Sequence, residues 1–300
     1  MNKKIANLEQ MISVYEVTLN SGLGAGKRFV VVHNHRLEAW LSLDNALDIT
    51  RISYVGYNLS FLSKNGLNRG RGSFANSFEG GFLYTCGLEN VNVCREGYPI
   101  HGSIHATPCS EWSYRIEEDE VLVFAKIKDT TLFKQNISLT RNYTITPDGI
   151  SWKDDVRNDG YTSTEFCLLY HINWGHPLLD SCTQVVIKAK ETVALNSFAE
   201  GDRENCFTIT EPEDGLPERC YYHLEADGKV CISNPKIGLC CDLEYDTEAL
   251  PYLVEWKSMG SGDYALGTEP STTRFDEFRM TPLKAQETKT LSAKVQFKIQ

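Results

Sequence analysis

No stretch of this chain approaches the roughly 18 consecutive apolar residues that a membrane-crossing helix requires. It also lacks a basic stripe. Lys plus Arg number 30 against 40 Asp plus Glu, a formal net charge of −10. Such a surface repels phosphate backbones and anionic bilayers, so neither nucleic acid nor membrane is expected as a partner. Lys3 and Lys4 supply the early charge of a secretory signal, but no apolar run follows them. The expectation is a cytosolic protein.

Ten cysteines are present, yet no two stand at the two-residue spacing of zinc knuckles or redox motifs; only Cys240 and Cys241 adjoin. In a reducing compartment they read as free, mostly buried thiols, with no metal site among them. Amphipathic helix is scarce, and residues 5–12 supply one or two turns at most. Internal repeats, low-complexity tracts and Pro/Gly/Ser linkers are missing too. A single domain over residues 1–300 is therefore expected.

What the chain does have is strand and turn. Tyr143 and Ile145 alternate with polar partners, as do Ile150, Trp152 and Val156. Pro147-Asp148-Gly149 joins the two runs as a hairpin, since Pro presets φ and Gly accepts φ > 0. The same grammar predicts strands at 28–32, 37–43, 49–55, 112–117 paired with 121–128, 164–171, 183–190 and 288–299. Many short strands at such spacing imply an all-β antiparallel sandwich or barrel.

Three stretches depart from hairpin grammar by concentrating Gly, His and polar residues: 78–105, 168–180 and 256–270. In the second, alternation puts His171, Asn173 and Gly175 on one face, with Ile172 and Trp174 on the other. A polar row leaving an apolar strand suggests the wall of a site, although a core histidine bonded to a backbone carbonyl gives the same pattern. Glu269 precedes Pro270, which biases it to extended backbone and presents the carboxylate from a strand end. Trp174 and Trp256 are candidate sugar platforms, or core payload. Lys257 is a candidate for an anionic or hydroxylated ligand, or a solvent-facing lysine. His33-Asn34-His35 with Glu38 offers a cupin-like metal reading, since residues two apart share a strand face, but the Glu comes one residue too early.

Taken in order, these stretches resemble the galactose mutarotase-like superfamily, in particular its bacterial aldose-1-epimerase-related branch. The residues that carry the resemblance are Gly80-Gly81-Phe82-Leu83-Tyr84-Thr85-Cys86-Gly87-Leu88-Glu89-Asn90, His101-Gly102, Leu169 to Gly175 and Gly267-Thr268-Glu269-Pro270. Asp44 to Ile49 fits the same branch. The resemblance implies a large antiparallel β-supersandwich with a sugar site and no cofactor. It implies that Glu269 takes the anomeric proton while His171 protonates the ring oxygen, so that the ring opens and recloses as the other anomer. It places His101 against the sugar, with Asn173, Trp174, Lys257, Asp263 and Arg71 as further substrate contacts; Arg69 is the other candidate for the arginine. His171 and Glu269 are expected to face a shared cavity from separate walls rather than touch. The alternative function is a sugar-binding or sensing protein without turnover. Which sugar, and the oligomeric state, are left open.

Overall fold

The computed structural model describes residues 3–93 and 96–300. Cys94 therefore lies outside the described residues. Twenty strands among the described residues form three antiparallel sheets. A five-stranded meander runs from Ile12–Thr18 through Arg28–Asn34, Leu37–Ser42 and Ile49–Tyr54 to Tyr57–Asn58. The eight-stranded sheet has the order Gln184–Ile187, Lys229–Asn234, Leu239–Tyr245, Thr288–Ile299, Gly149–Asn158, Asn136–Thr146, Glu120–Thr130, Cys109–Glu117. The third sheet is ordered Glu191–Ala194, Arg219–Leu224, Tyr252–Gly260, Asp263–Ser271, Thr164–Trp174, and both Leu83–Leu88 and Thr281–Leu283 pair with that last strand.

The hairpin grammar explains much of this. Thr146 pairs with Gly149, leaving Pro147 and Asp148 as the turn; Gly149 opens the next strand without the positive φ expected of it, and Tyr143 faces Trp152 across the ladder, both buried. Alternation then fills one core: Val123, Tyr143, Trp152, Leu243 and Val295 from the eight-stranded sheet meet Leu168, Tyr170, Ile172 and Trp174 from the third. The meander adds Val30, Val32, Leu41 and Ile52 to the same core.

Of three local expectations, the first holds at its short end and two are corrected. Residues 5–12 supply only a single 3₁₀ turn, Leu8–Gln10, capped by Asn7, because buried Ile12 already opens a strand paired with Arg28–Asn34. The 183–190 strand shortens to Gln184–Ile187. His35 turns the chain with φ 56° after the strand ends at Asn34, so His33 and His35 do not share a strand face.

One buried cation joins all three sheets. Arg141 donates to both oxygens of Asp154 (2.9 and 2.6 Å), to Asp48 Oδ1 (2.6 Å), to the Ala46 carbonyl (3.0 Å) and to Thr85 Oγ1 (2.9 Å). Tyr170 adds its hydroxyl to Asp154 at 2.9 Å. All these side chains are buried, so the carboxylates and the guanidinium offset one another's desolvation.

Candidate active site

The Thr164–Trp174 strand is buried on both faces, which is why its sequence reads as a continuous apolar run. Leu168, Tyr170, Ile172 and Trp174 enter the main core. Leu169 faces the other way, into a second apolar cluster with Tyr84, Tyr222 and Val254. His171 shares that outer face.

Register then brings the expected pair together. Ile172 pairs with Thr268 and Leu169 with Ser271, so position 171 falls opposite position 269. Continuing across the sheet, Tyr84 faces His171 on one side, and Val254 faces Glu269 on the other. The pair is thus part of one row crossing neighbouring strands. His171 Nε2 lies 3.1 Å from Glu269 Oε1, with 6% and 3% of the two residues exposed. The expectation that they would stand apart is corrected: they are cross-strand neighbours.

Both line a cavity of about 590 Å³, together with His101, Asp263, Trp256 and Glu218. Trp256 is half-buried, its ring 5.4 Å from that of His171, and it donates its indole N–H to Glu218 at 2.7 Å. Phe61 and Phe78 pack edge-on against the same indole. Asp263 lies at the rim and pairs with exposed Lys64 at 2.6 Å. Gly267, the register partner of Trp256, keeps space beneath the pair. A Cβ there would lie 2.5 Å from Glu269 Oε1 and 3.1 Å from Trp256 Cβ.

Burial dominates the electrostatics. It pushes the His171 imidazole down to about 3, helped by nearby His101, and it holds the Glu269 carboxyl well above its ordinary range, helped by Glu218. His101 is lowered to about 4, by burial and then by His105. Both shifts favour a neutral imidazole beside a protonated carboxyl. That arrangement and the imidazolium–carboxylate form carry the same total charge and differ only in which of the two groups holds the proton.

Four expected contacts lie elsewhere. Trp174 points into the core and donates to Thr268 Oγ1 at 2.9 Å, fully buried. Asn173 is buried as a clamp, its amide donating to the Gly81 and His171 carbonyls. Lys257 sits on the side of its strand opposite Trp256, its ammonium on the Asn205 and Cys206 carbonyls at 2.8 and 3.2 Å. Arg71 is exposed and does not line the cavity; Arg69 lines a neighbouring one with His101. Glu218 and Lys64 were not anticipated. Both sit outside regular strands, where no periodicity marks them.

The architecture is that of the galactose mutarotase-like proteins. A crystal structure from Klebsiella pneumoniae subsp. pneumoniae MGH 78578, provisionally named an aldose 1-epimerase, superposes with a TM-score of 0.87 at 19% identity, covering 95% of this chain and 83% of that one. A galactose mutarotase-like protein from Clostridium acetobutylicum gives 0.69 at 16% identity, covering 97% and 100%. One from Lactobacillus casei ATCC 334 gives 0.62 at 16%, covering 90% and 100%. Among curated proteins none matches the chain in sequence. Within that fold, the chain belongs to the family described as domain of unknown function DUF4432, whose model matches residues 24–296.

Proposed function

We propose that this protein interconverts the anomers of a sugar by acid–base ring opening, with Glu269 and His171 exchanging protons with the substrate and no cofactor taking part. The observation that carries the reading is the 3.1 Å contact between His171 Nε2 and Glu269 Oε1 in the wall of the cavity. The anomeric hydroxyl and the ring oxygen of a cyclic sugar are bonded to the same carbon. One closely spaced donor–acceptor pair therefore reaches both.

The proton count follows. Sugar hydroxyls that hydrogen-bond the carboxylate favour the imidazolium–carboxylate form on binding. Glu269 then takes the proton of the anomeric hydroxyl while His171 gives one to the ring oxygen, and the C1–ring oxygen bond breaks. The products are the open-chain aldehyde, a neutral imidazole and a protonated carboxyl. That last pair is the arrangement burial prefers, so the site favours ring opening once the charged form has been reached. Rotation about C1–C2 and the reverse transfers close the other anomer. General acid and base catalysis contribute roughly 10²–10⁴-fold, a scale suited to a reaction that already proceeds slowly in water.

Trp256, flanked by Phe61 and Phe78, supplies an apolar face for the sugar ring, and Asp263 with Lys64 supplies rim hydrogen bonds. His101 is the remaining imidazole in reach of the sugar. We place the reaction in the cytosol on the composition and cysteine arguments. Saturation-transfer NMR across a panel of reducing sugars tests the proposal. Accelerated exchange between anomers of at least one sugar is expected. Sugar binding without acceleration would leave a binding protein on the same scaffold.

A further inference from the structure

The solvent face of the eight-stranded sheet carries a feature unrelated to the cavity. Ile232, Cys241 and Leu243 enter the core, so alternation turns Cys231, Cys240 and Asp242 outward. Cys231 pairs with Asp242 across the Lys229–Asn234 and Leu239–Tyr245 ladder, and Cys240 is its diagonal neighbour. The two sulfurs are 3.5 Å apart, and Cys240 Sγ is 3.7 Å from Asp242 Oδ1. The other carboxylate oxygen, Oδ2, is held by Lys298 at 2.6 Å from the adjoining strand.

We infer that Cys231, Cys240 and Asp242 form a binding site for a thiophilic divalent cation of the zinc type. The spacing fits. Two thiolates on one tetrahedral zinc stand ~3.8 Å apart, and a thiolate and a carboxylate oxygen ~3.6 Å, for bonds of about 2.3 and 2.1 Å. The sulfur–sulfur and Cys240–Asp242 separations lie within a few tenths of an ångström of these values, and all three ligand atoms lie within 4.8 Å of one another. Their chemistry also selects. Paired sulfurs suit zinc, cobalt and cadmium, whereas calcium and magnesium require all-oxygen ligands. Charge closes the case: two thiolates and one carboxylate are balanced by the divalent ion and the Lys298 ammonium. Lys298 leaves Oδ1 free while fixing the carboxylate's orientation. The half-buried setting leaves the fourth position to water.

Binding replaces two S–H bonds with two metal–sulfur bonds and releases two protons to solvent, with no change of oxidation state. Both thiols must lose their protons to bind, so uptake strengthens as pH rises. The site is invisible to spacing along the chain, because eight residues, including a turn, lie between its cysteines, whereas paired cysteines in zinc motifs have two to four between them.

The test uses the full chain, kept reduced with a phosphine, stripped with a chelator, exchanged into chelator-free buffer and titrated with Co²⁺. Thiolate-to-cobalt absorption in the near ultraviolet, with visible bands of tetrahedral cobalt saturating at one ion per chain and abolished by Zn²⁺, is expected. Cys231→Ser and Cys240→Ser should each weaken binding by at least ~10²-fold, and Lys298→Met, which removes only the partner of a ligand, by ~10-fold. Cys182→Ser, outside the cluster, should bind as the wild type does. Serine variants that keep full cobalt affinity would overturn the assignment. So would a reduced protein that takes up no cobalt, whether or not an oxidant can bridge the two sulfurs. None of these readouts depends on sugar turnover.

Discussion

The rings of His101 and His171 stand 5.9 Å apart and nearly perpendicular, at 84°, both within the cavity wall. Each is held neutral by burial, His101 titrating at about 4 and His171 at about 3, against ~6.5 for a free histidine. Their closeness is part of the cause for His171, since a charge on one ring raises the cost of charging the other. Glu269, on the neighbouring strand, is shifted in the opposite direction.

Stability should consequently vary with pH in a way that separates these groups. Below about 6.5 the unfolded chain binds protons at both histidines that the native state refuses, so stability falls as pH falls. Above about 4.5 the native state keeps a proton on Glu269 that the unfolded chain releases, so stability falls as pH rises. Between those values His171 and Glu269 oppose each other, leaving His101 to contribute up to ~1.4 kcal/mol per pH unit. Urea midpoints should show His101→Gln flattening the acid side. Glu269→Gln should gain on the wild type as pH rises above about 4.5. Parallel curves for all three proteins would refute the account.

Catalysis should collapse on removing either member of the pair. Glu269→Gln and His171→Asn should each lower anomer exchange by at least ~10²-fold while leaving the fold and sugar binding in place. The double variant should lose less than the product of the two, because the residues act as a unit. Exchange rates unchanged in Glu269→Gln would remove the mechanism.

The two tryptophans should divide cleanly between binding and stability. Trp256→Ala exposes the cavity floor and should weaken sugar binding by about 10-fold with little effect on the melting temperature. Trp174→Ala opens a core cavity and strands Thr268 Oγ1, a loss of roughly 3–5 kcal/mol. Calorimetric sugar titration paired with thermal denaturation decides this, and a swap of the two phenotypes would count against the placement of the sugar.

Arg141→Met keeps the apolar stem but leaves Asp154 buried without its cation and Asp48 with His105 alone. A cost of about 3–5 kcal/mol is expected at neutral pH. Chemical denaturation of wild type and variant measures it; equal stability of the two would show that the charge pairing is not a source of stability.

Strand identity was readable because alternation and turn chemistry are local: Pro147 and Asp148 mark the hairpin that pairs Tyr143 with Trp152. The division into three sheets was not readable, since it depends on pairings such as Arg157 with Thr288 that lie far apart in sequence. The direct contact of His171 with Glu269 is of the same kind, set by register between strands rather than by any neighbour in the chain. Trp174 is more instructive. Alternation already set it on the face opposite His171, and that parity outweighs any general tendency of tryptophan to stack on sugars. Lys257 obeys the same parity against Trp256. Glu218 and Lys64 reach the cavity from loops, where periodicity carries no information.

Gly267 gives up a side chain in a strand position where β-branched residues pair best. The vacancy it leaves is shared by the Glu269 carboxylate and the Trp256 indole. On the proposed reading, a single methyl group at 267 would drive the carboxylate off the imidazole without replacing either reacting residue or altering the outer part of the sugar cavity. Catalyst and receptor are then one mutational step apart on this scaffold, and descendants of a common ancestor can part ways there, some keeping turnover and others keeping only their affinity for a sugar.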